Sequence, residues 1–489
     1  MNWGYNSEPE QKACKDLRGK VCFMPRGKVL GGSSVLNFLI YQRGHPEDYN
    51  DWARMGNEGG YLDIDYASFS SPIQTAFKEA GEELGFEWND PNGEKIIGFS
   101  KPQATIRNGR RCSTSKAFLE PIRFRKNLKI SKYSTVTKLL IDNNTMKAYG
   151  IEFIKGKRRR RVMARREIIL AAGTIGSAQL LMLSGIGPED HLTEMGIATI
   201  ANVPVGYNLQ DHITFSGNAF IVNDTNLCVN DLTAASPLSA AEYLAGKGPL
   251  TIPGGATGLA FSRTSFASDL SEGRPDIELV MGAGSLAGDH LGILRALLGI
   301  TDQWYWKVYG TMPPEVRQRT FSMNPVLIRP RSIGRLTLRS SNFSDHPRIH
   351  PNYFSHTDDI RALREGVRLV EKVIGTQAFR RFNTRLHNVP FPGCEEFIFD
   401  SDEYWECAIM QTSITLDHQV GTCKMAPAGD PTAVVSPRLL VHGVQGLRVA
   451  DASIMPRIPA SHTLAPVVMI AEKAAQLIKE DWLAYLSQY

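Results

Sequence analysis

The chain has 489 residues, 42% hydrophobic and 21% charged, with a formal net charge of +5. That length exceeds one simple core, so two or more domains are expected. The composition is that of an ordinary globular protein, and so small a basic bias gives no ground for a nucleic-acid partner.

The first residues, MNWGYNSEPEQKAC, contain no basic stretch followed by an apolar one, so no secretory signal is read in them. Seven cysteines (Cys14, Cys22, Cys112, Cys228, Cys394, Cys407 and Cys423) form no CxxC pair, and no metal site is expected. Cys14 and Cys22 are close enough in sequence to pair in an oxidising compartment; two free thiols remain the other reading.

In chain order, FMPRGKVLGGSSVLNFLIYQRG (Phe23 to Gly44) is a Gly-Gly-Ser-Ser turn followed by an apolar run whose polar interruption is Asn37. Such a stretch can lay its backbone against a large planar ligand. Ser70 to Glu87 spaces Ile73, Phe77, Ala80 and Leu84 as a helix. KGKRRRRVMARRE (Lys155 to Glu167) reads as an exposed hairpin with solvated charges, leading into a buried strand, Ile168 to Ala171. The uncharged run Ile168 to Pro188 is long enough to cross a membrane, but glycines, Thr174, two serines and Gln179 break it, so no membrane span is expected. Instead, Gly173-Thr-Ile-Gly176 reads as a turn from strand to a helix that begins near Ser177.

DIELVMGAGSLAGDH carries Gly282, Gly284 and Gly288 after a strand-like run. Its GxGxxxG spacing departs from the dinucleotide fingerprint, so it is read as a glycine-rich loop. Ile333 to Phe343 alternates as a strand. Thr357 to Gly375 is amphipathic, with Thr357 or Asp358 as N-cap and Gly375 as its stop. A strand, Leu447 to Ala450, ends at Asp451, whose carboxylate can take a sugar or ribityl hydroxyl, and a helix with Pro466 in its first turn closes the chain. Strands and helices are mixed throughout, which predicts an α/β or α+β fold.

Of eleven histidines, His418 in LDHQVGTCKM and His462 in PASHTLAP occupy informative loops. An imidazole suits an alcohol oxidation, in which a hydroxyl proton leaves as hydride is lost. His212 in GYNLQDH is read as a packing or loop residue.

Five segments, PRGKVLGGSSVLNFLIYQRGHPEDYNDWA, GTIGSAQLLMLSGIGP, VGYNLQDH, HQVGTCKM and GLRVADASIMPRIP, together resemble the signatures of the glucose–methanol–choline (GMC) flavoprotein oxidoreductases. Within them the sequence is most similar to the insect FAD-dependent glucose dehydrogenase group. The likeness runs from about Trp3 to Trp482. It implies FAD as cofactor, an alcohol or sugar as substrate, and a quinone or another electron acceptor. By residue match it implies flavin contacts at Gly32, Ser33, Asn37, Phe38, Leu39 and Ile40. Val136 is matched to the adenine, Asp451 and Ala452 to the cofactor at the last strand, and Thr463 and Leu464 to the pyrimidine end of the flavin. His418 is implied as catalytic base and His462 as its partner. Relatives with covalent FAD use a histidine where this chain has Leu36, which implies non-covalent attachment.

The resemblance also implies a division into an FAD-binding domain (1–60, 98–215 and 440–489) and a substrate domain with an antiparallel sheet (61–97 and 216–440). Two departures stand out. The family's opening strand–GxGxxG–helix unit is not matched, and Met55 to Tyr66 joins two family segments directly. Both suggest a truncated, shortened form, whose rival reading is an inactive isoform or degenerate paralogue with weak or no FAD binding. Full-length members are often secreted; the compartment of this chain stays open.

Overall fold

The computed structural model describes residues 1–45, 61–267 and 273–486; the first half of the Met55–Tyr66 junction, 55–60, lies outside them. A two-residue strand, Tyr5–Asn6, pairs with Phe23–Met24 and opens an N-terminal ribbon. The first helix, α1 (Pro72–Glu83), has Pro72 at its first position and buries Ile73, Ala76, Phe77 and Ala80 on one side. It packs against β1 (Gly98–Ser100). Next comes an antiparallel meander of β2 (Ser134–Asp142), β3 (Lys147–Lys155) and β4 (Arg158–Met163). The basic run is thus a hairpin, as expected, and β4 is exposed along its whole length. Glu152 on β3 takes two of its charges, lying 3.0 Å from Arg159 and 3.4 Å from Arg161.

The chain then forms β5 (Ile168–Leu170) and α2 (Gly173–Leu183). Strands β6 (Ile213–Phe215), β7 (Phe220–Ile221), β8 (Ala256–Ser262), β9 (Ile277–Gly282) and β10 (Thr320–Leu327) follow. Helix α3 (Thr357–Ile374), β11 (Arg385–Leu386), α4 (Asp402–Thr412) and β12 (Ser413–Thr415) lead to β13 (Leu447–Val449) and α5 (Leu464–Leu486).

The central sheet runs β11–β7–β10–β9–β8–β1, with β6 joined to both β10 and β12, and every pairing in it is antiparallel. Helix α3 lies across β9 and β10, and α1 across β1 and β8. A separate parallel pair joins β5 to β13 in register Ile168↔Leu447 to Leu170↔Val449. No described strand occupies the other edge of β5. A buried ion pair fastens the last helix to this layer: Arg448 Nε lies 2.6 Å from Glu167, and Trp482 Nε1 donates to the same carboxylate at 2.8 Å.

Three boundaries differ from the sequence expectation. Helix α2 starts at Gly173, a turn earlier than expected, because Asp451 from another strand accepts from the Gly173 N–H at 3.0 Å and from Ser177 Oγ at 2.5 Å. Helix α3 is capped by the His356 ring, which accepts from the Asp358 N–H at 3.3 Å. Asp358 and Asp359 are drawn instead to the 331–332 segment. The predicted strand over 333–343 shrinks to Arg335–Thr337, because Ser340 donates to Asp345 and closes a turn.

Disulfides join Cys14 to Cys22 and Cys394 to Cys407; Cys112, Cys228 and Cys423 are free and buried. No described helix is long and apolar enough to cross a membrane.

Candidate active site

The 32–42 segment folds as local chemistry dictates. Gly31 and Gly32 have positive φ, at 97° and 56°, and open a short 3₁₀ turn, Gly32–Val35. Ser33 Oγ accepts from the Gly27 N–H at 3.2 Å, and Asn37 Oδ1 accepts from Arg111 at 2.6 Å. Leu39 is held at φ 72°, a costly conformation for a branched residue, while its carbonyl accepts from the Thr105 N–H at 3.0 Å. Phe38 is thereby left half exposed, and Ile40 is buried in a small core with Leu259, Val326 and Ala460. The Ile40 side chain therefore faces protein, and the residue pairs with Ala104 in a short antiparallel ladder.

Two residues on, Gln42 is fully buried. Its side-chain Oε1 accepts from the His462 main-chain N–H at 3.0 Å, and its Nε2 donates to Glu278 at 2.9 Å. Glu278 on β9 is buried too, 3.5 Å from His462 Nε2. The rings of His462 and His418 meet edge to face, 4.8 Å between centroids and 79° between planes. The two sequence candidates, 44 positions apart in the chain, are thus brought into direct ring contact.

His212 joins them: its Nδ1 is 3.0 Å from His418 Nδ1. The reading of His212 as a packing residue is therefore incomplete, since it is buried and also bonded to the predicted base. Beneath them Asp211, also buried, accepts from the His418 main-chain N–H at 2.9 Å and from Thr415, Tyr353 and Gln419 side chains. This carboxylate fixes the loop on which His418 stands. Asp417, beside it at φ 63°, faces Arg26 at 3.9 Å.

Burial sets the charge state. His418 is held well below the ordinary histidine range, first by desolvation and then by His462, His212 and Arg26. Burial likewise pushes His212 down to about 3, with His462 adding to the effect. Burial raises Asp211 and Asp417; for Asp417 the nearby Arg26 opposes the rise and the Asp211 charge adds to it. Burial thus keeps the His418 imidazole neutral, with a ring lone pair available at neutral pH, while the same desolvation opposes its protonation.

The remaining sequence candidates are placed as follows. Asp451 caps the turn Ala452–Ile454 and α2; its oxygens accept from Gly173, Ser177 and Ser453, so the side chain is engaged within the protein. Ala452 accepts from the Gly421 N–H at 3.3 Å, which links this strand end to the His418 loop. Thr463 directly follows His462 and precedes α5, which Leu464 begins. Val136 stands apart from the histidines, partly exposed on β2. The Gly282–Gly288 pattern is no phosphate cradle: β9 passes into a three-residue turn, and a Cβ on Gly284 would lie 2.2 Å from the Val229 carbonyl oxygen. Sequence reasoning missed Gln42, Glu278, Asp211 and the role of His212. A carboxylate inside the otherwise apolar strand IELV was the available signal for Glu278.

An antiparallel sheet carrying a histidine cluster, joined to a strand–helix layer with an open glycine turn, is the architecture of a flavin-dependent alcohol-oxidising enzyme. The GMC oxidoreductase models match residues 11–214 and 330–471. Glucose dehydrogenase [FAD, quinone] of Drosophila melanogaster is 37% identical over 514 residues, covering 99% of this chain and 79% of that protein. Mitochondrial choline dehydrogenase of Mus musculus is 33% identical over 515 residues, covering 98% and 79%. The crystal structure of pyridoxine 4-oxidase from Mesorbium loti superimposes with a TM-score of 0.77 at 26% identity, covering 97% of this chain and 88% of that one. The chain belongs to the GMC oxidoreductase family.

Proposed function

We propose that the protein is an FAD-dependent oxidoreductase that oxidises a CH–OH group of a small alcohol or sugar, glucose dehydrogenase-like, and passes the electrons to a quinone or a similar acceptor. The observation that carries this reading is the buried, neutral His418 in ring contact with His462. The cofactor is FAD, and the residues present fit it. The Cβ positions of Gly32 and Gly173 open on empty space, Phe38, Val136 and Ile169 expose apolar surface, and Ser461 Oγ and His462 Nε2 are buried without hydrogen-bond partners. The residues that would hold FAD are Gly32, Ser33, Asn37, Phe38, Leu39 and Ile40 on the flavin side, Val136 at the adenine, Asp451 and Ala452 by main chain, and Thr463 and Leu464 where the α5 N-terminus favours negative charge. Leu36 offers no nucleophile, so attachment is non-covalent. When bound, FAD supplies the hydride acceptor.

The protein residues handle the proton. His418 accepts the substrate hydroxyl proton, and His462 holds the same oxygen by hydrogen bond. Glu278, 3.5 Å from His462, steadies the positive charge that gathers as that proton arrives. The cofactor domain comprises 1–60, 98–215 and 440–489, and the substrate domain 61–97 and 216–440. The intact histidine cluster and its carboxylate supports favour this reading over an inactive paralogue.

The test is rapid mixing of FAD-reconstituted protein with a panel of alcohols and sugars, followed by flavin absorbance, then turnover with a quinone. Flavin bleaching by at least one member is expected. A flavin-loaded protein that none of them reduces, or a chain that retains no FAD after desalting, would overturn it.

A further inference from the structure

We propose that the short helix Ile293–Leu298 and its surroundings form a docking surface for a lipid bilayer with anionic headgroups, on which the protein lies without spanning it. The helix stands between two glycines at positive φ, Gly292 at 74° and Gly299 at 75°, which set it off as a discrete element. Its outward face carries no charge. Ile293 is 64% exposed and Leu297 51%, four positions apart and so on one side, with Leu294 and Ala296 exposed beside them. The charged residue of the helix, Arg295, is tied down. Its guanidinium lies 4.4 Å from the Tyr305 ring centre and donates to Asp302 and to the Asp289 carbonyl. Exposed Leu291 extends the face, with Leu232 close to it, since the Leu291 N–H donates to Asp231. Trp306, 52% exposed, extends it again and is backed by Arg317, 5.0 Å from its ring. Folding leaves this group of large apolar side chains in water, which marks a surface that meets a partner. Two features select a bilayer. The first is composition: protein interfaces are anchored by Trp, Tyr and Arg, with leucine under-represented, whereas an aliphatic helix face with a Trp alongside suits the boundary between headgroups and acyl chains. The second is charge. The exposed Arg18 and Lys20 adjoin the end of the helix, because the Arg18 N–H donates to the Gly299 carbonyl at 2.8 Å and Leu17 pairs with Ile300. Neither cation has an ion-pair partner among the described residues. The nearby carboxylates of Asp289 and Asp302 are instead held by Arg295, at 3.6 and 2.7 Å. An apolar face with free cations at its rim complements anionic headgroups.

The inference goes beyond the proposed oxidation, and its test reads binding alone. The full chain is mixed with vesicles of equal parts phosphatidylcholine and phosphatidylserine and floated on a density gradient. It should rise with them at low salt, and less with vesicles of phosphatidylcholine alone. Ile293→Asp and Leu297→Asp together should weaken partitioning on the order of 100-fold, and Arg18→Gln and Lys20→Gln together on the order of 10-fold. All four side chains are exposed, so the thermal melts should match that of the unmutated chain. A chain that stays behind with both kinds of vesicle overturns the proposal, and so does flotation that the aspartate pair leaves unchanged. A second copy seated on this face would overturn it as well: sedimentation velocity would then show a dimer that the aspartate pair dissolves. Should the aspartate pair fail to fold, a polarity-sensitive dye on Leu297→Cys decides, since the free cysteines Cys112, Cys228 and Cys423 are buried. Its emission should shift to the blue on the mixed vesicles, and an unshifted spectrum overturns the docking.

Discussion

At the scale of single residues, the chemistry turns on a buried, neutral imidazole. His418→Ala should retain FAD and lose roughly 10²–10⁴-fold in flavin reduction, the usual worth of a positioned general base. His462→Asn should be milder, since an amide can still bond the substrate hydroxyl. Stopped-flow reduction isolates this step from reoxidation, and an unmutated rate in His418→Ala would sink the assignment. The same burial makes stability depend on pH. In the unfolded chain a histidine protonates near pH 6.5, whereas folded His418 resists the proton. Below about pH 6.5 the unfolded state therefore binds more protons, and stability falls as pH falls. Asp211 and Asp417 work in the opposite sense, because the folded state keeps their protons longer as pH rises. Comparing His418→Gln with the unmutated chain removes the carboxylates from the difference. The variant should lose less in Tm between pH 7.5 and 5.5, and parallel curves would exclude a buried neutral His418.

At the scale of elements, turns carry the site and tertiary contacts end the helices. Gly421, three residues after His418, has φ 91°, and a Cβ there would fall 2.2 Å from the Asn208 carbonyl oxygen. Gly421→Ala should cost at least about 2 kcal/mol, combining strain with a backbone clash. Denaturant titration checks the stability, and His418 activity should fall with it. The disulfide Cys14–Cys22 spans 8 positions, so Cys22→Ser should cost about 2.5 kcal/mol by loop entropy. Non-reducing peptide mapping should find the two cysteines in one linked fragment, and separate free thiols there would refute the pairing. The elements that sequence made legible are those whose periodicity is their own: α1, α3, α5 and the β3–β4 hairpin. What sequence could not place depends on distant partners. Asp451 decides where α2 begins from 278 positions away. Gln42 and Glu278, 236 positions apart, look like ordinary strand and loop residues until folding buries them together. His418 and His462 stood out because imidazole in a loop has a restricted chemistry, while His212 did not, because its role is to face another histidine.

At the scale of the whole molecule, the two layers are held to each other by segments remote in sequence. The His418 loop bonds to the strand end at Ala452 and Ser453, and His462 reaches back to Gln42. The N-terminal ribbon shows the same logic most strongly. Cys14 donates its main-chain N–H to Ser413 Oγ across 399 positions, and Asp16 donates to the Gln411 carbonyl at 2.9 Å. The ribbon thus has its resting place on β12 and the end of α4, whose contact residue Ser413 is made 399 positions after Cys14. At a synthesis rate of about 5–20 residues per second, the ribbon waits on the order of 20–80 s before its partner exists. For that interval Tyr5, Leu17 and Met24, all buried in the finished protein, have no core to enter. Whatever helps this protein to mature must act on the ribbon until β12 has been translated.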